Sequence, residues 1–164
     1  MNLSEPVIFT TEANDEVIEY EYVDLGLPSG VKWAMHNVGT TYPEGHGDHF
    51  AWGEIEPKAT YESGNCSSNY QDLGDISGNP LYDAAAAKWG NGWRMPTLEE
   101  MYELTQECTW TWVEDNGIVG YKVTSKTNGN HIFLPAAGFR VNDQLLDKDF
   151  FGYYWMSTDR KSVV

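Results

Sequence analysis

The clearest pattern of apolar and polar residues lies in the C-terminal half of the chain, where its period is two. In "CTWTWV", Cys108, Trp110 and Trp112 fall on one side of an extended chain and two threonines fall on the other. Asp-Asn-Gly at 115–117 and Thr-Asn-Gly-Asn at 127–130 interrupt the alternation with residues that favour hairpin turns. The sequence therefore predicts a three-stranded antiparallel meander that ends in "HIFLPAAGF".

Two short helices are predicted before the meander. The alanine-rich "YDAAAAKW" predicts a helix over about 81–89, which Gly90 closes. In "PTLEEMYELTQE", Thr97 stands three residues before Glu100, and this spacing is a capping box at a helix N-terminus. The apolar positions of this second helix recur at helical spacing and form one predicted buried face, made of Leu98, Met101 and Leu104.

The rest of the chain has few periodic segments. "LPSG" predicts a turn, since Pro28 presets φ and Gly30 suits the fourth turn position. Residues 53–80 are rich in Gly, Ser, Asn, Asp and Pro and predict a long ordered loop. Residues 1–20 are acidic and are interpreted as a leader or an edge strand, and 21–164 as one domain. The predicted class is α+β: two short helices, a small antiparallel sheet and long ordered loops.

Composition narrows the possible partners. The chain has 164 residues, and its 25 acidic against 10 basic residues give a net charge of -15. A field of that sign repels phosphate backbones and anionic headgroups, so we expect no nucleic-acid partner. No apolar run approaches the roughly 20 residues that span a bilayer, so we expect no membrane insertion, and the first residues lack a signal-peptide pattern.

Cysteine usage gives little support for a metal or for a disulfide framework. Cys66 and Cys108 lie far apart in the sequence and do not form a CxxC pair. No histidine stands at zinc-finger spacing from either of them. We interpret them as two separate thiols, and one disulfide stays open as the alternative.

Several motifs in fixed order cover most of the chain between Tyr22 and Thr158. They are "YVDLGLPSGVKWA", "NVG", "GDHFAWGE", "AAAKWGNGWRMPT", "CTWTW", "GYKVTSKTNGNHIFLPAAGF" and "GYYWMST". Together they resemble the Fibrobacter succinogenes major paralogous domain, a large family of surface and secreted proteins abundant in Bacteroidetes. The resemblance implies a C-type-lectin-like fold related to the formylglycine-generating-enzyme group.

The same resemblance implies an extracellular or cell-surface module with no established catalytic activity. Some relatives of this fold are the variable adhesion proteins of diversity-generating retroelements, which bind other proteins through a surface near the C-terminus. The chain departs from the family after "WMST", where members continue with a further hairpin and a closing strand and this chain passes through "DRK" to "SVV". We interpret 162–164 as a remnant of that strand and the domain as shortened at its C-terminus, which would leave a sheet edge unpaired.

The stretch "HGDHFAWGE" concentrates side chains that are able to bind a metal: His46, Asp48, His49 and Glu54. Their number suits a zinc site, and a metal-dependent hydrolase is one hypothesis. In the family, however, the positions of His46 and His49 are commonly aromatic, and Phe50 and Trp52 alternate as in a short core strand. We therefore interpret the stretch as scaffold and predict no metal.

Calcium binding and nucleophilic catalysis have weaker support in the sequence. Oxygen ligands suitable for calcium stand in the loop "DLGDISGNPLYD", namely Asp72, Asp75, Asn79 and Asp83. Their spacing matches no EF-hand, so we interpret them as solvated loop groups in an acidic chain. No G-x-S-x-G elbow occurs, and the formylglycine-generating relatives use a late pair of cysteines that this chain lacks after Cys108. We predict neither an enzyme nor a cofactor.

The remaining prediction is a non-enzymatic module that binds a protein or glycan ligand at a cell surface through loops near its C-terminal end. The predicted ligand-binding residues are Asp143, Gln144, Asp147, Lys148, Tyr153 and Arg160. Aromatic residues 153–155 offer a sugar platform, although three consecutive rings in a strand cannot share one face, and we expect Trp155 in the core. The alternative function is a structural or assembly domain of a surface protein.

Overall fold

The computed structural model describes residues 20–66, 72–158 and 160–163. Over these ranges the chain forms a small α+β protein, as predicted, with two helices and nine strands paired into small antiparallel sheets. Helices α1 and α2 span Ala84–Trp89 and Leu98–Glu107. In chain order the strands β1 to β9 are Tyr22–Val23, Trp33–Ala34, Cys108–Asp115, Ile118–Ser125, His131–Pro135, Phe139–Val141, Gln144–Leu146, Tyr153–Met156 and Arg160–Val163. Strand β1 pairs with β2, β3 with β4 and β4 with β5, β6 with β7, and β8 with β9.

The predicted meander is confirmed as β3, β4 and β5. The turn between β3 and β4 places Asn116 at φ 49° and Gly117 at φ 79°, a backbone that asparagine and glycine tolerate best. Trp110 and Trp112 both pack edge-on against Tyr121, at ring-centroid distances of 5.7 and 5.0 Å, which agrees with the prediction that they share one side of the strand. Cys108 is buried, whereas Trp112 is 44% exposed.

Both predicted helices form, but the structure differs from the prediction in the first turn of each. Helix α1 begins at Ala84 instead of residue 81, because the Asp83 carboxylate accepts a hydrogen bond from the backbone N–H of Ala86 and caps it there. Gly90 closes it, as predicted. The capping box that begins α2 is confirmed, whereas Leu98 is 39% exposed at the first helical position. Neither of these described helices has the length and apolarity to cross a bilayer.

The core lies between α2 and the meander. Its buried side chains come from the segment after β1, from α2, from the meander and from β8: Leu25, Leu27, Met101, Leu104, Cys108, Val123, Ile132, Leu134 and Met156. The turn predicted at "LPSG" forms directly after the buried Leu27, and the Gly30 N–H donates to the Leu27 carbonyl.

The two cysteines are separate thiols. Cys108 is buried and Cys66 is half-buried, and burial raises the pKa of the Cys108 thiol.

The stretch "HGDHFAWGE" is not a strand. Gly47 and Gly53 have φ of 73° and 76°, and these left-handed conformations bend the chain at both ends of the stretch. Trp52 is nevertheless in the core, as expected, and its Nε1–H donates to the Met156 carbonyl at 3.0 Å. The described parts of 53–80 form no helix or strand, only an isolated bridge at Tyr61.

The structure describes only part of each chain terminus. Ser162 and Val163 lie in β9, where they pair with residues of β8. The interpretation of 1–20 as a leader or an edge strand falls outside the described residues, except for Tyr20.

Candidate functional site

Five of the six predicted ligand-binding residues lie in, or within a few residues after, a hairpin that follows the meander in the chain. Strands β6 and β7 pair across the two-residue turn of Asn142 and Asp143. The tip is held to the long loop by two backbone hydrogen bonds between Asn142 and Tyr61, of 2.8 and 2.9 Å. We call β6, β7, the following loop and Tyr153 the 139–153 segment.

The loop that follows β7 folds back onto the chain between β5 and β6. The Asp149 N–H donates to the Ala136 carbonyl, and the Gly138 N–H donates to the Phe151 carbonyl, both at 2.8 Å. The Tyr153 hydroxyl donates to the Asp147 carboxylate at 2.7 Å, and this bond raises the pKa of Tyr153. The segment is therefore tied to the meander and to itself.

The 139–153 segment exposes an unusual amount of apolar surface. It supplies five of the eleven large apolar side chains that are exposed in the described chain: Val141, Leu145, Leu146, Phe150 and Phe151. Phe150 is the most exposed of these, at 73%. Patches of this kind on soluble proteins often mark interaction surfaces.

Several of these side chains share one side. Residues 139, 141 and 146 lie on the same face of the hairpin, because the register places Phe139 opposite Leu146 and Val141 opposite Gln144. The Phe139 ring lies 4.7 Å from the ring of Tyr153, which lies 6.4 Å from the ring of Phe151. We call this surface the apolar face; it consists of Phe139, Val141, Leu146, Phe151 and Tyr153.

The backbone of the segment is held in costly conformations. Asn142, Asp147 and Asp149 have φ of 54°, 57° and 68°, and they are three of the five non-glycine residues with positive φ in the described chain. Asparagine and aspartate adopt this region more readily than other side chains, but it still costs energy. Strain of this kind concentrates where a loop has a defined functional shape.

The structure places five of the six predicted residues on this segment. Asp143 and Gln144 lie exposed at the hairpin tip, and Asp147, Lys148 and Tyr153 follow β7. Arg160 lies in β9 opposite Met156, and its side chain is outside the described residues. Sequence reasoning missed the apolar side chains, whose only signal is that "LL" and "FF" interrupt a polar loop.

The three consecutive aromatic residues do not form one platform. The Tyr154 hydroxyl donates to the Pro135 carbonyl, and burial raises the pKa of Tyr154. The Trp155 Nε1–H donates to the Phe50 carbonyl at 2.8 Å. Only Tyr153 therefore contributes its ring to the apolar face.

The polar residues of "HGDHFAWGE" make separate contacts. His49 hydrogen-bonds through Nε2 to the Ala137 carbonyl, and His46 Nε2 lies 4.0 Å from the Asp149 carboxylate. Burial lowers the pKa of both histidines. Glu54 pairs with Lys58 at 2.9 Å. In the described part of the chain no three His, Cys, Asp or Glu side chains gather to hold a metal.

The candidate calcium ligands accept hydrogen bonds from backbone N–H groups of the protein itself. Asp72, Asp75 and Asn79 each accept a hydrogen bond from a backbone N–H two residues further on. The interpretation of these groups as solvated is wrong for Asp83, which is fully buried and accepts from the N–H groups of Gly78, Ala86 and Met95. Asp83 joins the loop, α1 and the strand-free segment before α2.

A bidentate ion pair fixes the start of α2. The Arg94 guanidinium donates to both Glu100 carboxylate oxygens, at 2.8 and 2.5 Å. Glu100 also accepts from the Thr97 N–H, and these bonds, led by that of Arg94, lower the pKa of Glu100.

We expect this pair to contribute to stability in a pH-dependent way. Because the folded-state pKa of Glu100 lies below its ordinary value of 4.5, its contribution is present above that value and is lost as the pH falls through the folded-state pKa. Glu100→Gln should therefore reduce the difference in unfolding free energy between about pH 7 and about pH 3, measured by urea titration. Glu99→Gln removes one charge from the same turn without contacting Arg94; an identical result for both variants would contradict the prediction.

A wide crevice of about 890 Å³ runs beside the 139–153 segment. Part of its wall is aromatic: the Trp89 ring stacks on Tyr20 at 4.8 Å and meets Trp93 edge-on at 5.2 Å. The 139–153 segment contributes Phe139, Arg140 and Tyr153 to the wall.

Comparison of the chain with protein-family models, with curated proteins and with solved structures finds no match. The geometry of the 139–153 segment and of the crevice therefore carries the functional inference, together with the sequence motifs.

Proposed function

We propose that this protein is a non-enzymatic recognition module that binds a protein partner through the 139–153 segment. The observation that carries the proposal is the apolar face, which is exposed on a hairpin held firmly to the core. We further propose that the fold is C-type-lectin-like and that the module works outside the cell, as the motif resemblance implies.

The composition of the surface favours a protein over a glycan. Large apolar side chains form its centre, and charged groups at its edge include Asp143 and Lys148. An apolar centre with a polar rim is the usual anatomy of a protein interface. Glycan sites instead need several polar groups that converge on the ligand's hydroxyls.

The attachment of the hairpin supports tight binding. The two hydrogen bonds at Tyr61 and those at Ala136 and Gly138 restrict the segment before a partner arrives. A surface that is ordered in advance loses less conformational entropy on association, so more of the contact energy contributes to affinity.

The apolar side chains should dominate the affinity. We expect the triple variant Val141→Ser, Leu146→Ser, Phe151→Ser, which changes the three exposed members of the apolar face, to weaken binding roughly 30-fold or more, since truncation of central apolar contacts commonly costs about 2 kcal/mol or more. The measurement is a screen of the purified chain against immobilised extracellular protein domains and glycans, followed by titration of each hit. Chelation of calcium should leave a hit unchanged.

Leu81→Ser is the control, because Leu81 is a large apolar residue that is 71% exposed and does not belong to the segment. A hit that survives the triple variant with unchanged affinity, or hits confined to glycans, would contradict the proposal.

The apolar face also suits the alternative of an assembly domain, in which it would pair with a second copy. Light scattering of the purified chain at increasing concentration separates the two functions. A stable oligomer that the triple variant converts to monomer would favour assembly.

A further inference from the structure

The aromatic crevice is lined by a cation, Arg140, for which the described part of the chain provides no carboxylate partner. Arg140 is half-buried on β6, and none of the residues that the structure describes forms an ion pair or side-chain hydrogen bond with it. The other two Lys or Arg residues that line the crevice have carboxylate partners: Lys32 lies 3.8 Å from Asp24, and Arg94 lies 2.5 Å from Glu100.

This absence is notable in a chain with 25 acidic and 10 basic residues. A half-buried guanidinium favours a planar anion that accepts its parallel N–H groups. His49 lies close enough to Arg140 for the positive charge to disfavour a protonated imidazole. Among the residues that the structure describes, the surroundings of Arg140 therefore favour an external anion and provide no internal one.

The size and walls of the crevice suit a ligand with more than a charge. Its volume of about 890 Å³ lies within the range of roughly 300–1,000 Å³ that small-ligand sites occupy. The rings of Phe139 and Trp93 are among its lining groups, and Asp48 and Asn91 are exposed polar residues of its wall. Rings stack on the apolar faces of sugars, while polar groups meet their hydroxyls.

We propose that this crevice binds an acidic saccharide of the uronic-acid class, with Arg140 holding the carboxylate and the aromatic walls receiving the sugar rings. The site goes beyond the proposed protein-binding function. Arg140 lies on the opposite side of β6 from Val141. Phe139 and Tyr153 border both sites, whereas Val141, Leu146 and Phe151 do not line the crevice.

The test is a titration of the wild-type chain with trigalacturonate, in which tryptophan fluorescence reports binding in the crevice. We expect saturable binding at millimolar or lower concentration. We expect the neutral methyl ester of the same trisaccharide to bind roughly ten- to a hundredfold more weakly, the range expected for loss of a charge-assisted hydrogen bond. Arg140→Gln should weaken binding of the acid by a similar factor and leave that of the ester unchanged.

Lys122→Gln is the matched control, because Lys122 is a half-buried cation on β4 that does not line the crevice. Equal affinity for acid and ester, no saturable binding of either, or an equal loss in both variants would overturn the proposal. Phenylacetate is a further arm: tighter binding of this aromatic acid than of trigalacturonate would show that a carboxylate binds here but not a saccharide. The apolar triple variant should bind trigalacturonate as the wild type does, which separates a failure of this site from a failure of the protein-binding surface.

Discussion

Replacing Asp83 with alanine is expected to lower the free energy of unfolding by about 3–5 kcal/mol, since each buried N–H that loses its acceptor costs about 1–3 kcal/mol. The Asp83 side chain is fully buried and accepts three backbone hydrogen bonds, from Gly78, Ala86 and Met95, at 2.8 to 3.0 Å. Alanine would leave all three donors without this partner and would remove the N-cap of α1. Equilibrium urea unfolding followed by circular dichroism measures the change.

Asp72→Ala is the matched control for this prediction. Asp72 is exposed and accepts one hydrogen bond, from the Gly74 N–H, so water replaces its carboxylate readily. We expect a loss of about 1 kcal/mol or less. If Asp83→Ala destabilises the chain no more than Asp72→Ala, Asp83 does not organise this part of the fold.

The elements that sequence reasoning located well are those that local chemistry specifies. The capping box at Thr97 and Glu100 and the turn at Asn116 and Gly117 depend on residues only a few positions apart. Their side chains or φ preferences act on the neighbouring backbone, so the prediction needs no knowledge of the rest of the fold. The start of α2 and the meander were therefore predicted closely.

The errors arise where distant segments meet. Nothing near Asp83 in sequence indicates that the Met95 N–H will reach its carboxylate, so it resembled the solvated Asp72. Leu98 has the same helical spacing as Met101 and Leu104, yet it is 39% exposed at the first position of α2 while the other two are buried. Burial set by tertiary contacts overrides the local pattern in both cases.

In the candidate site, too, local sequence predicted some features, and contacts between distant segments determined the others. Polar turn residues at 141–149 indicated a functional loop, and the structure gathers most of them on one hairpin. Which apolar side chains lie beside them depends on the register of β6 and β7. That Arg140 has no carboxylate partner among the described residues depends on which distant segments surround it. Neither property can be calculated from spacing along the chain.

Gly138→Ala should displace the 139–153 segment while the meander stays folded. Gly138 has φ of 68°, and an added Cβ would overlap the Leu146 carbonyl oxygen and approach the Lys148 nitrogen to 2.7 Å. The left-handed backbone alone costs alanine about 1–2 kcal/mol, and the contacts are with backbone atoms that cannot rotate away. We expect a total loss of about 2–4 kcal/mol in unfolding free energy and faster hydrogen exchange at Gly138 N–H and Asn142 N–H.

Gly74→Ala separates the two causes, because Gly74 has a similar φ of 63° and no atom within 4 Å of an added Cβ. It should cost about 1 kcal/mol and leave both exchange rates unchanged. The Gly138 amide donates to the Phe151 carbonyl, so a shift of this residue moves Phe151 and with it the apolar face. Partner binding should therefore fall in Gly138→Ala but not in Gly74→Ala; full binding by a Gly138→Ala chain whose segment exchanges rapidly would show that the partner does not need the hairpin to be held in place.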